Sequence, residues 1–194
     1  MEFVRLPSGR EVAIRPICRH DGERLEAAYA ELSPASRYRR FLAAKPRLTA
    51  DELRYLTDVD GRDHVALIAM PAADRERIIA VGRFIRLKDD PTAAEFAIVV
   101  GDPYQGEGLG TELIGRLADA AIDRGVARFT ATVLADNEAI HRLMRHLTGE
   151  FVHRRSGPVE EVVVELAARV TGISSPRGVE TDHSRRRQSG ALAV

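Results

Sequence analysis

The segment VVGDPYQGEGLGTEL, residues 99–113, leaves an apolar tract, passes glycines at 106, 108 and 110, and enters the start of an amphipathic run. Glycine lets the main chain come close to a guest, and the first amides of a helix have no partner inside it, so this arrangement suits a negatively charged group. Glycines so closely spaced exceed what a turn needs. The loop reads as a phosphate cradle between a strand and a helix.

Two common phosphate loops fit poorly. A Walker A loop, G-x-x-x-x-G-K-[ST], is met in spacing by Gly101 and Gly106, but Glu107 stands where the lysine belongs, with the wrong sign for a triphosphate. A dinucleotide fingerprint, G-x-G-x-x-G, is met only as G-x-G-x-G, with Thr111 at the last glycine's place. Asp136 does follow a later strand, so that reading stays open as the minor one. Chain order weighs against it: a dinucleotide unit starts at its glycine loop with βαβ alternation, whereas here strands in hairpin order come first.

Outward from the loop, apolar spacing sets the other elements. Residues 11–17 (EVAIRPI) alternate as a strand after the Pro7-Ser8-Gly9 turn, and 21–32 carry Leu25, Ala28, Tyr29 and Leu32 at helical spacing. Ser33-Pro34 opens a short helix, SPASRYRRFL, and Thr49 with Glu52 forms a capping box for another. Residues 64–70 and 78–85 make a hairpin pattern, continued by a strand over 93–100 (AAEFAIVV). A helix over 110–124 stops at Gly125, followed by a strand over 129–134, a helix over 138–147 and closing strands at 151–154 and 161–166. The class is α/β, with hairpins before the loop and strand–helix alternation after it.

The 194 residues suffice for one domain with a real core. Lys+Arg at 29 balance Asp+Glu at 29, so no general attraction to nucleic acid or to an anionic membrane is encoded, and neither is expected as a partner. The single cysteine, Cys18, reads as a small core residue, and no disulfide or thiolate metal site is available to it alone. No apolar run approaches the roughly 20 residues that span a bilayer, and the N-terminus lacks the apolar core of a signal peptide, so a cytoplasmic location is expected. His141 and His146 are five apart, not on one helical face, and no metal is expected. Beyond about Val170 periodicity is lost: residues 1–169 are read as the domain and 170–194 as a disordered tail, with Arg185, Arg186 and Arg187 a solvated charge run.

The pattern Gln105-x-x-Gly108-x-Gly110, after AEFAIVV and before an amphipathic helix, resembles the acetyl-CoA loop of the GNAT superfamily of N-acetyltransferases, Q/R-x-x-G-x-G/A. The resemblance covers residues 10–166, because the element order is also that of the GNAT fold. It implies a mixed central sheet of about six to seven strands with a splayed parallel pair, flanked by helices. It further implies that Ile98, Val99 and Val100 bond the pantetheine amides of acetyl-CoA. The amides of Gln105, Gly106, Glu107, Gly108, Leu109, Gly110 and Thr111 would hold the diphosphate, helped by the dipole of the following helix. Asn137, in NEAIHRLMRHLTGEF, resembles an asparagine near the cofactor arm, and is also placed to cap its helix. Met144 takes the place of the family's usual tyrosine acid, leaving the departing thiolate to find its proton in water or another group. LSPASRYRRFL, AEFAIVV and Asn137 together look like the bacterial protein lysine acetyltransferases that act on acyl-CoA synthetases.

Acetyl transfer to an amine requires a base, since free lysine is almost wholly protonated near neutrality. Glu95, the one ionisable group in AAEFAIVV, shares a strand face with Ala97 and Val99. Partial burial raises a carboxyl pKa, which suits a base, and the glutamate at this position serves as base in the lysine acetyltransferases that the chain resembles. The alternative is a strand-edge glutamate in solvent or paired with Arg83 or Arg86. Arg37, Arg39 and Arg40 form either a basic rim, for an acidic substrate or for the cofactor 3′-phosphate, or a solvated helix face. A protein lysine is the preferred acceptor, a polyamine, aminoglycoside or amino acid the alternative; a non-catalytic acyl-CoA sensor is the reading from another class.

Overall fold

The β-branched and aromatic tracts become strands and the tracts of helical spacing become helices, as a computed structural model of the chain shows for residues 1–148 and 151–166. In chain order the elements are β1 (Glu2–Arg5), β2 (Glu11–Pro16), α1 (Gly22–Glu31), α2 (Pro34–Phe41), α3 (Ala50–Thr57), β3 (His64–Pro71), β4 (Ala80–Arg86) and β5 (Ala93–Val100). Then follow α4 (Leu109–Ile122), β6 (Arg128–Leu134), α5 (Glu138–Thr148), β7 (Val152–Ser156) and β8 (Val159–Glu165). The predicted caps form: Ser33 Oγ accepts from the Ser36 amide at 3.2 Å, and Thr49 and Glu52 bond reciprocally at 3.3 and 2.8 Å. The stretch read as a tail lies outside the described residues.

The strands make one sheet in the order β1-β2-β3-β4-β5-β6-β8-β7. Every neighbouring pair is antiparallel except β5 and β6. The mixed sheet has one strand more than the sequence suggested: β1, four residues long, is too short for its alternation to register and is held by pairing Val4 with Val12.

Helices α4 and α5 cover one face, where Phe84, Phe129, Leu117 and Met144 are fully buried, with ring centroids of Phe84 and Phe129 5.7 Å apart. Helices α1, α2 and α3 lie on the opposite face, over Ile68, Met70 and Val81, with Tyr29 of α1 buried among them. Burying such side chains contributes about 1.5–3 kcal/mol each, enough to seat both helix layers. Cys18 is exposed rather than in the core. Its amide and thiol donate to the buried Asp21 at 2.9 and 3.3 Å, which holds residue 18 at the protein surface.

The parallel pair sets up the site. Pairing of β5 with β6 covers only Ala93 with Arg128, Ala94 with Phe129 and Glu95 with Thr130, although β5 continues to Val100 and β6 to Leu134. Past that point β5 follows β4 all the way to Val100, while β6 follows β8 along its full length. The two strands diverge, and a gap opens between them.

Candidate active site

At the head of the gap, the Gly101 amide bonds the Ile79 carbonyl at 2.8 Å, and a short turn over Asp102–Tyr104 leads into the glycine loop. Gly106 and Gly108 have φ of +78° and +91°, the left-handed region that favours glycine. A Cβ on Gly108 would also meet Pro7 Cδ at 2.9 Å. Gly110 is helical, and a Cβ there would make ordinary contacts, the nearest with Val100 Cγ2 at 3.8 Å.

The Gln105 amide, expected among the loop donors, closes the preceding turn on Asp102 O at 3.4 Å; among the described residues, the amides of Gly106, Glu107, Gly108, Leu109, Gly110 and Thr111 take no hydrogen-bond partner, and the first bond of the helix runs from Glu112 N to Gly108 O at 3.0 Å. These donors gather at the positive end of α4, a 14-residue helix.

Side chains brace the loop from outside. Arg10 donates to Glu107 at 2.7 and 3.1 Å and lies 4.9 Å over the Tyr104 ring. Asp102 accepts from the Ser33 amide and from Ser33 and Ser36 Oγ at 2.9, 2.8 and 2.7 Å, pinning the start of α2. Gln105 Nε2 donates to the Val100 carbonyl at 3.0 Å and to Ser36 Oγ at 3.3 Å. Pro7, Arg10, Ser36 and Asp102 were not singled out from sequence as loop supports, since Arg10 lies 97 residues from Glu107 and nothing local in the sequence pairs them.

Ladder parity decides which main-chain groups face the gap. Leu87 N bonds Ala93 O at 2.9 Å and Gly101 N bonds Ile79 O at 2.8 Å, so the odd-numbered residues of β5 bond β4. Ile98 and Val100 turn their main-chain groups toward the gap, whereas Val99 is committed to Val81. The Val100 carbonyl already accepts from Gln105.

Two adjoining clefts occupy the gap. One of about 450 Å³ is lined by Ile98, Val99, Val100, the loop, Asn137, Arg142 and Leu143. The other, of about 250 Å³, is lined by Arg39, Arg40, Leu42, Glu95, Phe96, Ala97, Ala131, Thr132 and Asn137. Asn137 lines both and caps α5, its Oδ1 accepting from the Ile140 amide at 3.4 Å. Met144 is fully buried, so α5 offers no hydroxyl there.

Glu95 is half-buried at the last paired row of β5 and β6. Burial pushes its carboxyl above the ordinary value, and the Arg40 guanidinium pulls in the opposite direction. The pairing with Arg83 or Arg86 does not form. Arg83 donates to the Leu56 carbonyl at 3.2 Å and to His64 Nε2 at 3.1 Å, and Arg86 donates to Asp63 at 2.6 Å. Burial first, then the neighbouring Arg83 charge, push His64 down to about 4, so it accepts as a neutral ring.

Of the three arginines in SRYRRF, Arg37 is structural: it donates to Ala30 O at 2.8 Å and Pro46 O at 3.2 Å and covers the Tyr29 ring. Arg39 and Arg40 line both clefts. His141 bonds the buried Glu160, as does His153 at 3.2 Å, while His146 is exposed.

Residues 25–149 match the family described as "Acetyltransferase (GNAT) family". The chain is 37% identical over 156 residues to the acetyltransferase Pat of Mycolicibacterium smegmatis, a match covering 80% of this chain and 46% of that protein. It thus spans less than half that relative's length. It is 32% identical over 139 residues to the acetyltransferase PA5475 of Pseudomonas aeruginosa, covering 71% of this chain and 74% of that one. In three dimensions it is similar to the GNAT domain of S. lividans PAT, with a TM-score of 0.76 and 30% identity over 84% of this chain and 96% of that one. The matched segment runs from within α1 to the end of α5 and so holds both the glycine loop and the strand divergence; the chain belongs to the GNAT family of acetyltransferases.

Proposed function

We propose that the chain binds acetyl-CoA in the gap between β5 and β6 and transfers the acetyl group to a primary amine, a protein lysine in preference to a small amine, with Glu95 as general base. The observation that carries the reading is the divergence of β5 and β6 immediately past Glu95 and Thr130, which opens a cleft from that carboxyl to the bare amides heading α4.

The residues present fit the cofactor. Free donors at the positive end of a helix suit a diphosphate, and the outward-facing main chain of Ile98 suits an amide-bearing arm. Gln105, Gly106, Glu107, Gly108, Leu109, Gly110 and Thr111 supply the loop, and Asn137 borders the arm from α5. When bound, acetyl-CoA supplies a thioester whose carbonyl carbon accepts an amine and whose sulfur leaves as a thiol. Glu95 takes the proton from the incoming ammonium, which at neutral pH holds it tightly. Its half-buried setting raises its basicity toward the working pH while leaving it within reach of an acceptor.

A protein acceptor is favoured by the sheet face beside Glu95. That face continues across β6, β8 and β7 through Thr132, Glu161 and Arg154, all exposed and paired in register. A polypeptide can cross such a floor, and a small amine has no use for it. Calorimetric titration with acetyl-CoA, then with NAD, tests the cofactor: tight acetyl-CoA and absent NAD binding support the reading, and the reverse ends it. Transfer to a lysine-bearing protein, abolished in Glu95→Gln with acetyl-CoA affinity retained, tests the base.

A further inference from the structure

We propose that Arg39 makes the acceptor site selective for an amine with negative charge beside it, so that the acceptor is a lysine flanked by acidic side chains and polycationic amines are rejected. The proposal rests on the acetyl-transfer reading and names its substrate class.

The charges lining the two clefts are unbalanced. Arg39 and Arg40 line both, Arg142 lines the larger, and Glu95 is the one carboxylate among their lining residues. A polyamine would bring a second and third positive charge to a site already rich in cations, with one acid to meet them all.

The α2 arginines are not equivalent. Arg37 is held by carbonyls and by the Tyr29 ring. Arg40 lies 4.7 Å over the Phe41 ring and acts electrostatically on Glu95. Arg39 is exposed and makes no hydrogen bond or ion pair with another described residue, so its guanidinium is available to a guest.

Its place along α2 says which guest. Ser36, one turn before, touches Gln105 at the loop, and Leu42, one turn after, lines the cleft that holds Glu95. Arg39 therefore stands midway, about 4.5 Å of helix rise from each. The loop amides already answer the diphosphate, and the arm that would pass Arg39 is an uncharged diamide. Two anions are left for a guanidinium here, the cofactor's ribose phosphate and one carried by the acceptor; Arg39, which lines the cleft that holds Glu95, is assigned to the second, arriving beside the amine that Glu95 deprotonates. Asp102 fixes the start of α2 against the loop, which keeps this geometry in place.

The test uses single-lysine peptides flanked by Glu, Gln or Arg, together with spermidine, on the wild type and on Arg39→Glu. In the wild type kcat/KM is expected to fall from Glu- to Arg-flanked peptide by about fivefold or more, as suits a partly solvated ion pair. Arg39→Glu inverts that order and leaves acetyl-CoA affinity within about twofold, since Arg39 is exposed and bonds none of the described residues. Preference for spermidine or the Arg-flanked peptide, or an order that Arg39→Glu does not change, overturns the proposal. So does a large loss of acetyl-CoA affinity in Arg39→Glu, which would assign Arg39 to a cofactor phosphate. Transfer without charge order refutes this inference alone, whereas absence of transfer to any acceptor by the wild type refutes the acetyl-transfer reading as well.

Discussion

Arg10, just before β2, holds Glu107, in the middle of the glycine loop, through two hydrogen bonds of 2.7 and 3.1 Å. The same guanidinium lies over Tyr104, and Pro7 of the same hairpin fills the space in which a Gly108 side chain would have to stand. The loop's left-handed backbone is thus set from outside, by a hairpin nearly a hundred residues away. A carboxylate beside a diphosphate is unfavourable until a cation occupies it, and Arg10 does so.

Arg10→Glu is expected to weaken acetyl-CoA binding several-fold, and the exchange Arg10→Glu with Glu107→Arg to restore part of it. Calorimetry on the two single variants and the double variant reads the coupling. Equal losses in all three variants would show that the pair does not act through its contact.

Glu95→Gln should remove most turnover at neutral pH and leave acetyl-CoA affinity intact. With Glu95 as the proposed base, the acid limb of the wild-type rate profile is expected to report its carboxyl, displaced above the ordinary glutamate value by burial. Arg40 lowers that value, so Arg40→Gln is expected to move the acid limb to higher pH. The stability sign is the opposite of a salt-bridged acid. A carboxyl raised on folding favours the protonated native state, and its contribution diminishes as pH rises through the folded value. Glu95→Gln is therefore expected to raise Tm at neutral pH, a trade of stability for activity that thermal scans at pH 5 and 8 resolve.

Gly108→Val and Gly110→Ala separate loop shape from cleft space. The first needs φ of +91° from a β-branched residue and collides with Pro7, so both folding stability and acetyl-CoA binding should drop. The second adds a methyl in helical geometry with room for it, where Ala is favoured over Gly by up to about 1 kcal/mol. Its Tm should hold or rise with acetyl-CoA affinity largely retained, because the added methyl meets only ordinary contacts and the loop pattern admits Ala at this place. Unchanged affinity in Gly108→Val would place the diphosphate elsewhere.

Asp21 anchors the start of α1. Burial alone would raise its carboxyl, but hydrogen bonds from Arg15 at 2.6 and 2.7 Å, from Cys18 and from Arg24 hold it well below the ordinary range. Asp21→Ala leaves Arg15 without its carboxylate, holding the Pro16 carbonyl alone among the described residues, and should cost about 3–5 kcal/mol, read by urea unfolding. Because the folded value is depressed, this stabilisation is present above the unfolded carboxyl's pKa of about 4 and is lost as pH falls below it. Acid titration of the wild type, followed by circular dichroism, should therefore show unfolding that Asp21→Asn has already partly suffered at neutral pH.

Local chemistry made most elements legible in the sequence. Ser33 and Thr49 announce helices because a side-chain oxygen facing an unpaired amide is a short-range event. The glycine loop announces itself because φ above zero is a property of single residues. What stayed hidden depends on partners distant in the chain. Val99 looks equivalent to Ile98 and Val100 until β4 takes the odd-numbered residues of β5. Cys18 looks apolar until Asp21 draws it outward. Arg37, Arg39 and Arg40 are indistinguishable as a run, and only the fold turns the first onto Tyr29 and leaves the second open.

The seam between β5 and β6, three residue pairs long, also divides the sheet into a five-strand panel and a three-strand panel. Beneath the seam the panels share a core, Phe84 and Phe96 of one meeting Phe129 of the other, so the opening is held at its base while its far end is free of ladder bonds. A guest in that opening stiffens both strands, and amide exchange along β6 should slow when one is present. Slowed exchange confined to β6 and to the end of β5 that β6 does not pair would locate that guest in the opening without any ligand-bound structure.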